Sequence, residues 1–350
     1  MNLPSRYKPT GSYFEGGQGI VTIWNDISLG RDVAVKVLSS NGIGGSLLDE
    51  AALLGLIKSK HVVEIYEIGT DATTGRDYLI MEFVSGSELA GYAPENIRSL
   101  YLTLFQVVSG IEDIHEASCI HRDLKPNNIK YDGANIIKII DFGIGARRNP
   151  VSTDSGRGTD GYRGPEYFKD VIQLTTATDI YAFGAIAYEF CFGALDPLLF
   201  DVPPSPPPSF TTASIGPSQS KIAPEIASIL DLCFQAIPTS RPKALEIKRL
   251  LAKHLLRNQH VANFVHDGIL YDVSHTSNQC TITASKGSFV VQYNGLDFIL
   301  VSVTGEVFVN GIAAAIGMRL PGSCVIIIGA GSGPNRIFIP FNVSHPEVIL

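Results

Sequence analysis

The stretch His121-Arg-Asp-Leu-Lys-Pro-Asn-Asn128 decides the fold of this chain. Thirteen residues after its last asparagine comes Asp141-Phe-Gly143, directly behind the apolar run Ile136-Ile-Lys-Ile-Ile140. That run is rich in β-branched residues and predicts a strand leading into the second motif. The spacing of these two motifs is highly specific, so it guides the interpretation of the segments on either side.

Upstream, the segment Phe14-Glu-Gly-Gly-Gln-Gly-Ile-Val21 places a glycine cluster between two apparent strands. Missing side chains would let backbone N–H groups approach phosphate oxygens, although a glycine-rich hairpin without function looks the same. Val33-Ala-Val-Lys36 follows, and its lysine is either an exposed strand end or a cation held against phosphates. Ser46 opens a capping-box pattern. Glu50 in that helix then needs a cationic partner such as Lys36, because burying an unpaired carboxylate is costly.

Taken in order, these segments resemble a eukaryotic-type (Hanks-type) serine/threonine protein kinase, over roughly Tyr13 to Leu256. The resemblance implies an α+β, bilobal kinase fold over residues 1–258, with a β-rich N-lobe at about 1–84 and a helical C-lobe at about 85–258. It also implies transfer of the ATP γ-phosphate, with Mg²⁺, to Ser or Thr hydroxyls of protein substrates.

The resemblance assigns four catalytic residues. Lys36 is expected to contact the α- and β-phosphates while Glu50 holds it. Asp123 is expected to accept a hydrogen bond, and then the proton, from the substrate hydroxyl. Lys125 is expected to neutralise the γ-phosphate, and its presence favours Ser/Thr over Tyr substrates.

The nucleotide site implied by the resemblance combines a phosphate loop, an adenine pocket and metal ligands. Its residues are Gly16, Gly17, Gly19, Val21, Ala34, Lys36, Met81, Glu82, Val84, Asn128 and Asp141. Asn128 and Asp141 are the expected Mg²⁺ ligands, because Mg²⁺ prefers hard oxygen donors. Phe14 fills the first glycine position and is expected to stiffen the loop.

Arg122 precedes the catalytic aspartate, which in the family marks kinases ordered by a phosphate on the activation segment. Ser152, Thr153 and Ser155 are the candidate phosphosites, although a loop that is never modified remains the alternative. Thr159 matches a threonine that instead bonds near Asp123 and its neighbouring lysine.

Three further positions match the scaffold of the family. Asp179 is expected to brace the catalytic loop, and Arg241 to pair with Glu166.

The proline-rich segment 202–209 lies where the family usually has a docking helix and cannot be helical. It is either an extended ligand for an aromatic groove on a partner or a passive spacer.

Residues 261–350 hold only eight charged side chains and consist of short β-branched runs between glycine turns. They predict a small all-β sandwich over 259–350 that faintly resembles a forkhead-associated (FHA) domain. Ser285, Lys286 and Thr304 are the candidate phosphopeptide residues. The family's Gly-Arg pair is missing, so docking, dimerisation or restraint of the kinase are the alternatives to phosphopeptide binding.

The composition excludes several classes. The net charge of −7 argues against nucleic acid and against an anionic membrane surface as partners. Five scattered cysteines suit reduced thiols, and we expect a cytoplasmic protein without membrane spans. Two alternatives to an active kinase stay open: a nucleotide-binding pseudokinase, and a scaffold in which the sandwich does the work.

Overall fold

The computed structural model describes residues 3–16, 19–37, 47–71, 73–142, 151–153, 158–329, 336–344, 346 and 348. The chain divides into two compact units, Met1–Leu251 and Ala252–Leu350. The division falls inside the helix Ala244–Leu255, a few residues before the predicted boundary at 258. No helix in the described part of the chain is long and apolar enough to cross a membrane.

The first unit begins with a five-stranded antiparallel sheet in the order β1-β2-β3-β5-β4. Its strands are β1 Tyr7–Gly16, β2 Gly19–Asp26, β3 Arg31–Val37, β4 Ile65–Thr70 and β5 Asp77–Glu82. Helix α1, Leu47–Leu54, carries Glu50, as the capping pattern predicts. On one face of the sheet, Val33, Val35 and Ile80 pack with Leu3 and other apolar side chains. Alternation along β3 therefore turns Ala34 and Lys36 to the opposite face.

Helices dominate the remainder of the first unit. They are α2 Ile97–Glu116, α3 Thr176–Phe192, α4 Pro224–Leu232 and α5 Ala244–Leu255. Capping boxes at Asn96 and Thr175 start α2 and α3 by satisfying backbone N–H groups that lack helical partners. The sequence predicts a helix here from residues that recur at spacings of three and four, namely Ile97, Leu100, Leu104, Val108, Ile111 and His115. Helix α2 confirms this prediction.

Short strand pairs connect the helices of this unit. They are β6 Ile129–Tyr131 with β7 Ile137–Ile139, β8 Val151–Thr153 with β9 Ile172–Leu174, and β10 Ser214–Ile215 with β11 Ser220–Lys221. The β6–β7 hairpin joins the segment His121–Asn128 to Asp141, because β6 begins directly after Asn128 and β7 ends two residues before Asp141.

The second unit contains a six-stranded sheet in the order β13-β12-β20-β19-β17-β18 and a three-stranded sheet in the order β14-β15-β16. The strands are β12 Ala262–His266, β13 Ile269–Val273, β14 Gln279–Ala284, β15 Gly287–Tyr293, β16 Phe298–Gly305, β17 Val307–Val309, β18 Ile312–Ala313, β19 Ser323–Ile328 and β20 Ile337–Val343. Side chains from both sheets, including Phe264, Phe289 and Phe341, share one apolar core. Six β-branched runs predict strands from the sequence, at 281–283, 288–292, 298–303, 307–309, 324–328 and 337–341. All six lie in strands of the structure, and β12, β13 and β18 are additional.

Candidate active site

Three charged side chains from distant parts of the first unit meet at Lys36. Its Nζ lies 2.9 Å from both carboxylate oxygens of Glu50 and 2.9 Å from Oδ1 of Asp141. Burial alone would lower the pKa of Lys36, but the two carboxylates outweigh burial and raise it. Lys36 is therefore held as a cation, and its partner Asp141 remains 29% exposed. The cluster joins a strand, a helix and a loop into one site.

Strand register brings the candidate adenine-binding residues to the face of Lys36. Val21 lies directly opposite Lys36, and Met81 lies directly opposite Ala34. Directly opposed residues project from the same face of a sheet, so these apolar side chains flank the lysine. Ala34 and Met81 are buried, whereas Val21 is half-buried. An apolar wall next to a cation is a suitable surface for a base with a phosphate tail.

Two residues of the expected adenine pocket, Glu82 and Val84, lie at the end of β5 and just beyond it. The N–H of Glu82 donates to the backbone oxygen of Glu64 at 2.8 Å, and its carboxylate accepts from Lys138 Nζ at 2.9 Å. This N–H is therefore not available to a ligand, so an adenine contact by Glu82 would have to use another group of that residue. Val84 is buried at the start of the connection to the helices.

A second cluster surrounds Asp123. Thr159 Oγ1 donates to its Oδ1 at 2.7 Å, and Lys125 Nζ donates to its Oδ2 at 3.0 Å. Lys125 Nζ also donates to Thr159 Oγ1 at 2.8 Å, which closes a triangle of hydrogen bonds. The Asn128 amide donates to the backbone oxygen of Asp123 at 2.8 Å. These contacts fix the orientation of a carboxylate that is itself close to a cation.

Asp179, which lies in α3, holds the loop that carries Asp123. The carboxylate of Asp179 accepts from the backbone N–H groups of His121 at 3.0 Å and Arg122 at 2.9 Å, and lies 2.9 Å from Nε2 of His115. Complete burial would raise the pKa of Asp179, but these hydrogen bonds and the neighbouring histidines lower it. Arg122 has φ of 73°, a strained conformation for its residue type that the bond to Asp179 helps to maintain.

The Asp123 loop is tied directly to the segment that ends in Asp141. The N–H of Ile140 donates to the backbone oxygen of Asn128 at 2.9 Å, and the ring of His121 contacts the oxygen of Ile140 at 3.1 Å. Asp141 itself has φ of 65°, in the left-handed region. The two motifs therefore form one rigid assembly.

Asn128 and Asp141 fit a magnesium ion that is shared with a nucleotide. The amide nitrogen of Asn128 is turned towards Asp123, which leaves its carbonyl oxygen as the group for a cation. Among the described residues, no three His, Cys, Asp or Glu side chains are grouped as a metal site. One carboxylate and one amide are nevertheless sufficient for Mg²⁺, since it usually takes its other ligands from phosphates and water.

Comparison with known proteins accounts for this arrangement. Residues 14–252 match the family described as protein kinase domain, and this range contains every residue of both clusters. The chain belongs to the protein kinase family.

Several curated kinases are similar to this chain. A probable serine/threonine-protein kinase of Clostridium acetobutylicum is 32% identical over 203 residues, covering 55% of this chain and 30% of that protein. Serine/threonine-protein kinase PrkC of Bacillus subtilis is 31% identical over 205 residues, covering 55% of this chain and 31% of that protein. Serine/threonine-protein kinase Pkn1 of Myxococcus xanthus is 34% identical over 195 residues, covering 51% and 28%. The alignments thus span less than a third of each relative.

Several other predicted residues of the kinase domain can also be located. Within the described residues, Nε and Nη2 of Arg122 are buried and have no hydrogen-bond partner. Ser152 and Thr153 lie in β8, where their backbones pair with β9. Gly16 and Gly19 pair at the end of the β1–β2 hairpin. Gly17 and Ser155 lie outside the described residues.

One positioning residue of the kinase domain was missed in the sequence. His115 was counted only as part of the helical pattern of α2, yet its ring contacts Asp179, 64 residues away. A polar side chain at the end of an otherwise apolar helix face was the available signal. Its partner could not be identified from spacing.

In the second unit, the candidate phosphopeptide residues lie at one end of the three-stranded sheet. Ser285 and Lys286 form the exposed turn between β14 and β15, and Thr304 lies near the end of β16. Thr304 Oγ1 is 2.7 Å from Ser288 Oγ, its partner across the strands. The N–H of Glu306 donates to the Lys286 backbone oxygen at 2.9 Å, so a carboxylate residue lies beside this turn.

Proposed function

We propose that this chain is an active serine/threonine protein kinase, which transfers the γ-phosphoryl group of ATP to a Ser or Thr hydroxyl of a protein. The observation that carries the proposal is the joined pair of clusters, Lys36–Glu50–Asp141 and Asp123–Lys125–Thr159. Phosphoryl transfer relies mainly on positioning and on neutralisation of phosphate charge, which fixed cations and carboxylates can supply. The serine/threonine kinases among its relatives support the choice of substrate hydroxyl.

Each residue of the chain has a defined task in this mechanism. Lys36, fixed by Glu50, neutralises the α- and β-phosphates, and Lys125 neutralises the γ-phosphate. Asp123 orients the substrate hydroxyl by accepting its hydrogen bond. The substrate oxygen forms a bond to the γ-phosphorus as the bond from that phosphorus to the bridging oxygen breaks. The hydroxyl proton passes to Asp123, and ADP leaves.

The cofactor positions follow from the same geometry. Asn128 and Asp141 would hold Mg²⁺, which when bound neutralises the phosphate oxygens. Val21, Ala34 and Met81 would enclose the adenine, and the backbone near Glu82 and Val84 would bond its edge. Gly16, Gly17 and Gly19 would cover the phosphates. This assignment agrees with a bilobal kinase domain, with the nucleotide between lobes at about 1–84 and 85–258.

Incubation with labelled ATP and Mg²⁺ tests the proposal. We expect the wild-type chain to label itself or a generic basic protein, and we expect Asp123→Ala and Asp141→Asn to lose this transfer. Removing one group that stabilises the transition state costs about 10²–10³-fold in rate, so both losses should be easy to measure. Lys243→Ala, at an exposed position outside both clusters, is the matched control.

The assay also distinguishes the alternatives. Equal labelling by all variants would contradict the assigned roles. Nucleotide binding by calorimetry without any transfer by the wild type would identify a pseudokinase.

We also propose that regulation acts through Arg122. In the part of the chain that the structure describes, its buried N–H groups at Nε and Nη2 have no partner, which suits them to a phosphate on the activation segment. Ser152, Thr153 and Ser155 are the candidate phosphosites. Thr159 is a less suitable phosphosite, since its hydroxyl already bonds Asp123 and Lys125.

For residues 259–350 we propose an FHA-like β-sandwich that binds a partner. The support is the two sheets with a common core, and the polar turn with Ser285, Lys286 and Thr304 at one end. A phosphothreonine peptide library, tested against the full chain and against Lys286→Ala, decides whether the partner is a phosphoprotein. We expect enrichment of phosphorylated peptides that Lys286→Ala abolishes. No enrichment over unphosphorylated peptides would leave docking or dimerisation as the role.

A further inference from the structure

The proline-rich segment Val202–Ser209 has no role in the proposed phosphoryl transfer. Five of the six residues at 203–208 are prolines, whose rings fix φ near −65° and favour an extended polyproline II helix from Pro203 onward. The structure places the segment between two short 3₁₀ turns, Pro197–Phe200 and Phe210–Thr212, and gives it no helix or strand.

Burial along the segment follows the period of a polyproline II helix. Pro204 and Phe210 are buried and Pro207 is half-buried, whereas Pro203 and Pro206 are exposed. A polyproline II helix has three residues per turn, so positions three apart lie on one face. One face thus packs on the protein. The face of Pro203 and Pro206 is turned to solvent, and Pro208 on the third face is also exposed.

The segment is anchored in its middle and at its C-terminal end. The N–H of Ser205 donates to the backbone oxygen of Leu198 at 2.9 Å. At the C-terminal end, Ser209 Oγ and the N–H of Phe210 donate to the two carboxylate oxygens of Asp231 at 2.6 and 3.0 Å. The Phe210 ring is completely buried and lies 6.3 Å from the ring of Phe234. These anchors hold the prolines in a fixed conformation, which lowers the entropic cost of binding a partner.

The surroundings of the prolines are apolar and exposed. Val202 is 78% exposed and Phe200 is 54% exposed. Between residues 197 and 210 only Asp201 carries a charge. Large exposed side chains that are contiguous with exposed prolines are typical of a contact surface, whereas a passive spacer needs neither.

This surface lies beside the end of the activation segment. A β-carbon at Gly161 would lie 2.7 Å from Leu195 Cδ1 and 3.1 Å from Phe200 Cζ, so this turn packs directly on Gly161. A protein bound to the prolines would therefore be held next to the segment Gly158–Glu166.

We propose that residues 200–208 form a docking site for a protein module whose groove is lined with aromatic side chains. Such grooves bind polyproline II helices by packing aromatic rings between successive prolines, and a preformed helix is their preferred ligand. The near absence of charge argues against a partner that binds through ion pairs. Pro203, Pro206 and Pro208 are the contact prolines, and Phe200 and Val202 extend the apolar surface.

Binding of the full chain to purified SH3, WW and EVH1 domains, each immobilised separately, tests this proposal without requiring catalysis. We expect at least one of these modules to bind. The double variant Pro206→Ala/Pro208→Ala should weaken that binding about tenfold or more, because the contact prolines are lost. Pro217→Ala, an exposed proline outside the segment, should bind as the wild type does.

A peptide comprising residues 200–210 provides a second measurement that does not depend on the fold of the variant. We expect an excess of this peptide to displace the full chain from the module, and a peptide with alanine at 206 and 208 to fail. Binding by none of the three modules overturns the proposal, as does equal binding by the double variant. Self-association that the double variant abolishes in sedimentation would assign the surface to a second copy and would also overturn it.

Discussion

Two ion pairs in the first unit are similarly buried but differ in construction. Arg241 donates to both carboxylate oxygens of Glu166 at 2.8 and 2.7 Å, and two further N–H groups donate to the backbone oxygens of Gln235 and Ala177, each at 2.8 Å. Lys36 pairs with Glu50 but also reaches Asp141, which is partly open to solvent.

This difference separates a structural pair from a functional one. The fork geometry of arginine satisfies a carboxylate completely, and every group around Arg241 belongs to the chain itself. The Lys36 cluster instead places two carboxylates on one cation and opens towards solvent. An excess of negative charge beside an open face suits an additional cation with its phosphates, whereas the charges of Arg241 and Glu166 balance each other in a buried site.

The largest expected effect on stability comes from breaking the closed pair, Arg241–Glu166, which is wholly buried, in contrast to the open cluster of Lys36, Glu50 and Asp141. Arg241→Ala leaves the Glu166 carboxylate buried without a partner, and the loss of one member of a buried pair costs about 3–5 kcal/mol of unfolding free energy. Urea unfolding followed by circular dichroism measures this loss. Lys243→Ala, two residues away and exposed, should change the free energy by less than about 0.5 kcal/mol. Equal midpoints for the two variants would refute a structural role for the closed pair.

The matched change at the open cluster should appear mainly in activity. Lys36→Met leaves the buried Glu50 carboxylate without its cation, but methionine fills the space of the lysine stem. Arg241→Ala also removes hydrogen bonds to the backbone oxygens of Gln235 and Ala177, so the unfolding cost of Lys36→Met should be smaller. Labelled-ATP transfer should fall about 10²–10³-fold. If Lys36→Met destabilises as much as Arg241→Ala while transfer is retained, the distinction between the two pairs is wrong.

The sequence predicted the residues of both clusters because the kinase motifs have fixed spacing. It also predicted the pairing of Lys36 with Glu50, from the cost of an unpaired carboxylate inside a helix. The resemblance also implied that Asp179 braces the catalytic loop, and the structure shows its carboxylate bonded to that loop. The contact between His115 and Asp179 could not be predicted, because it joins residues 64 positions apart. Strand β13 was not predicted, because its residues Ile269 to Val273 do not alternate between apolar and polar side chains. In the structure both Ile269 and Leu270 are exposed.

His61 is a buried ionisable group that forms no ion pair with any of the described residues. Its Nδ1 lies 3.1 Å from the backbone oxygen of Ile137, and burial, reinforced by nearby lysines such as Lys60, lowers its pKa from 6.5 to about 4. Below pH 6.5 the unfolded chain therefore binds a proton that the folded chain does not. Stability from this group is complete above pH 6.5 and is lost as the pH falls towards 4.

Between pH 7 and pH 4.5 the loss from His61 should amount to at most about 3 kcal/mol, since each pH unit below 6.5 corresponds to about 1.4 kcal/mol. Urea unfolding between pH 7 and pH 4.5 measures it. His61→Gln keeps a donor for Ile137 but does not titrate, so its pH dependence should be flatter than that of the wild type. Asp179 does not obscure the comparison, because its lowered pKa confines its own effect to below pH 3.8. Parallel curves for wild type and His61→Gln would show that acid acts first on another group, and the carboxylates of the two ion pairs would then be the next to test.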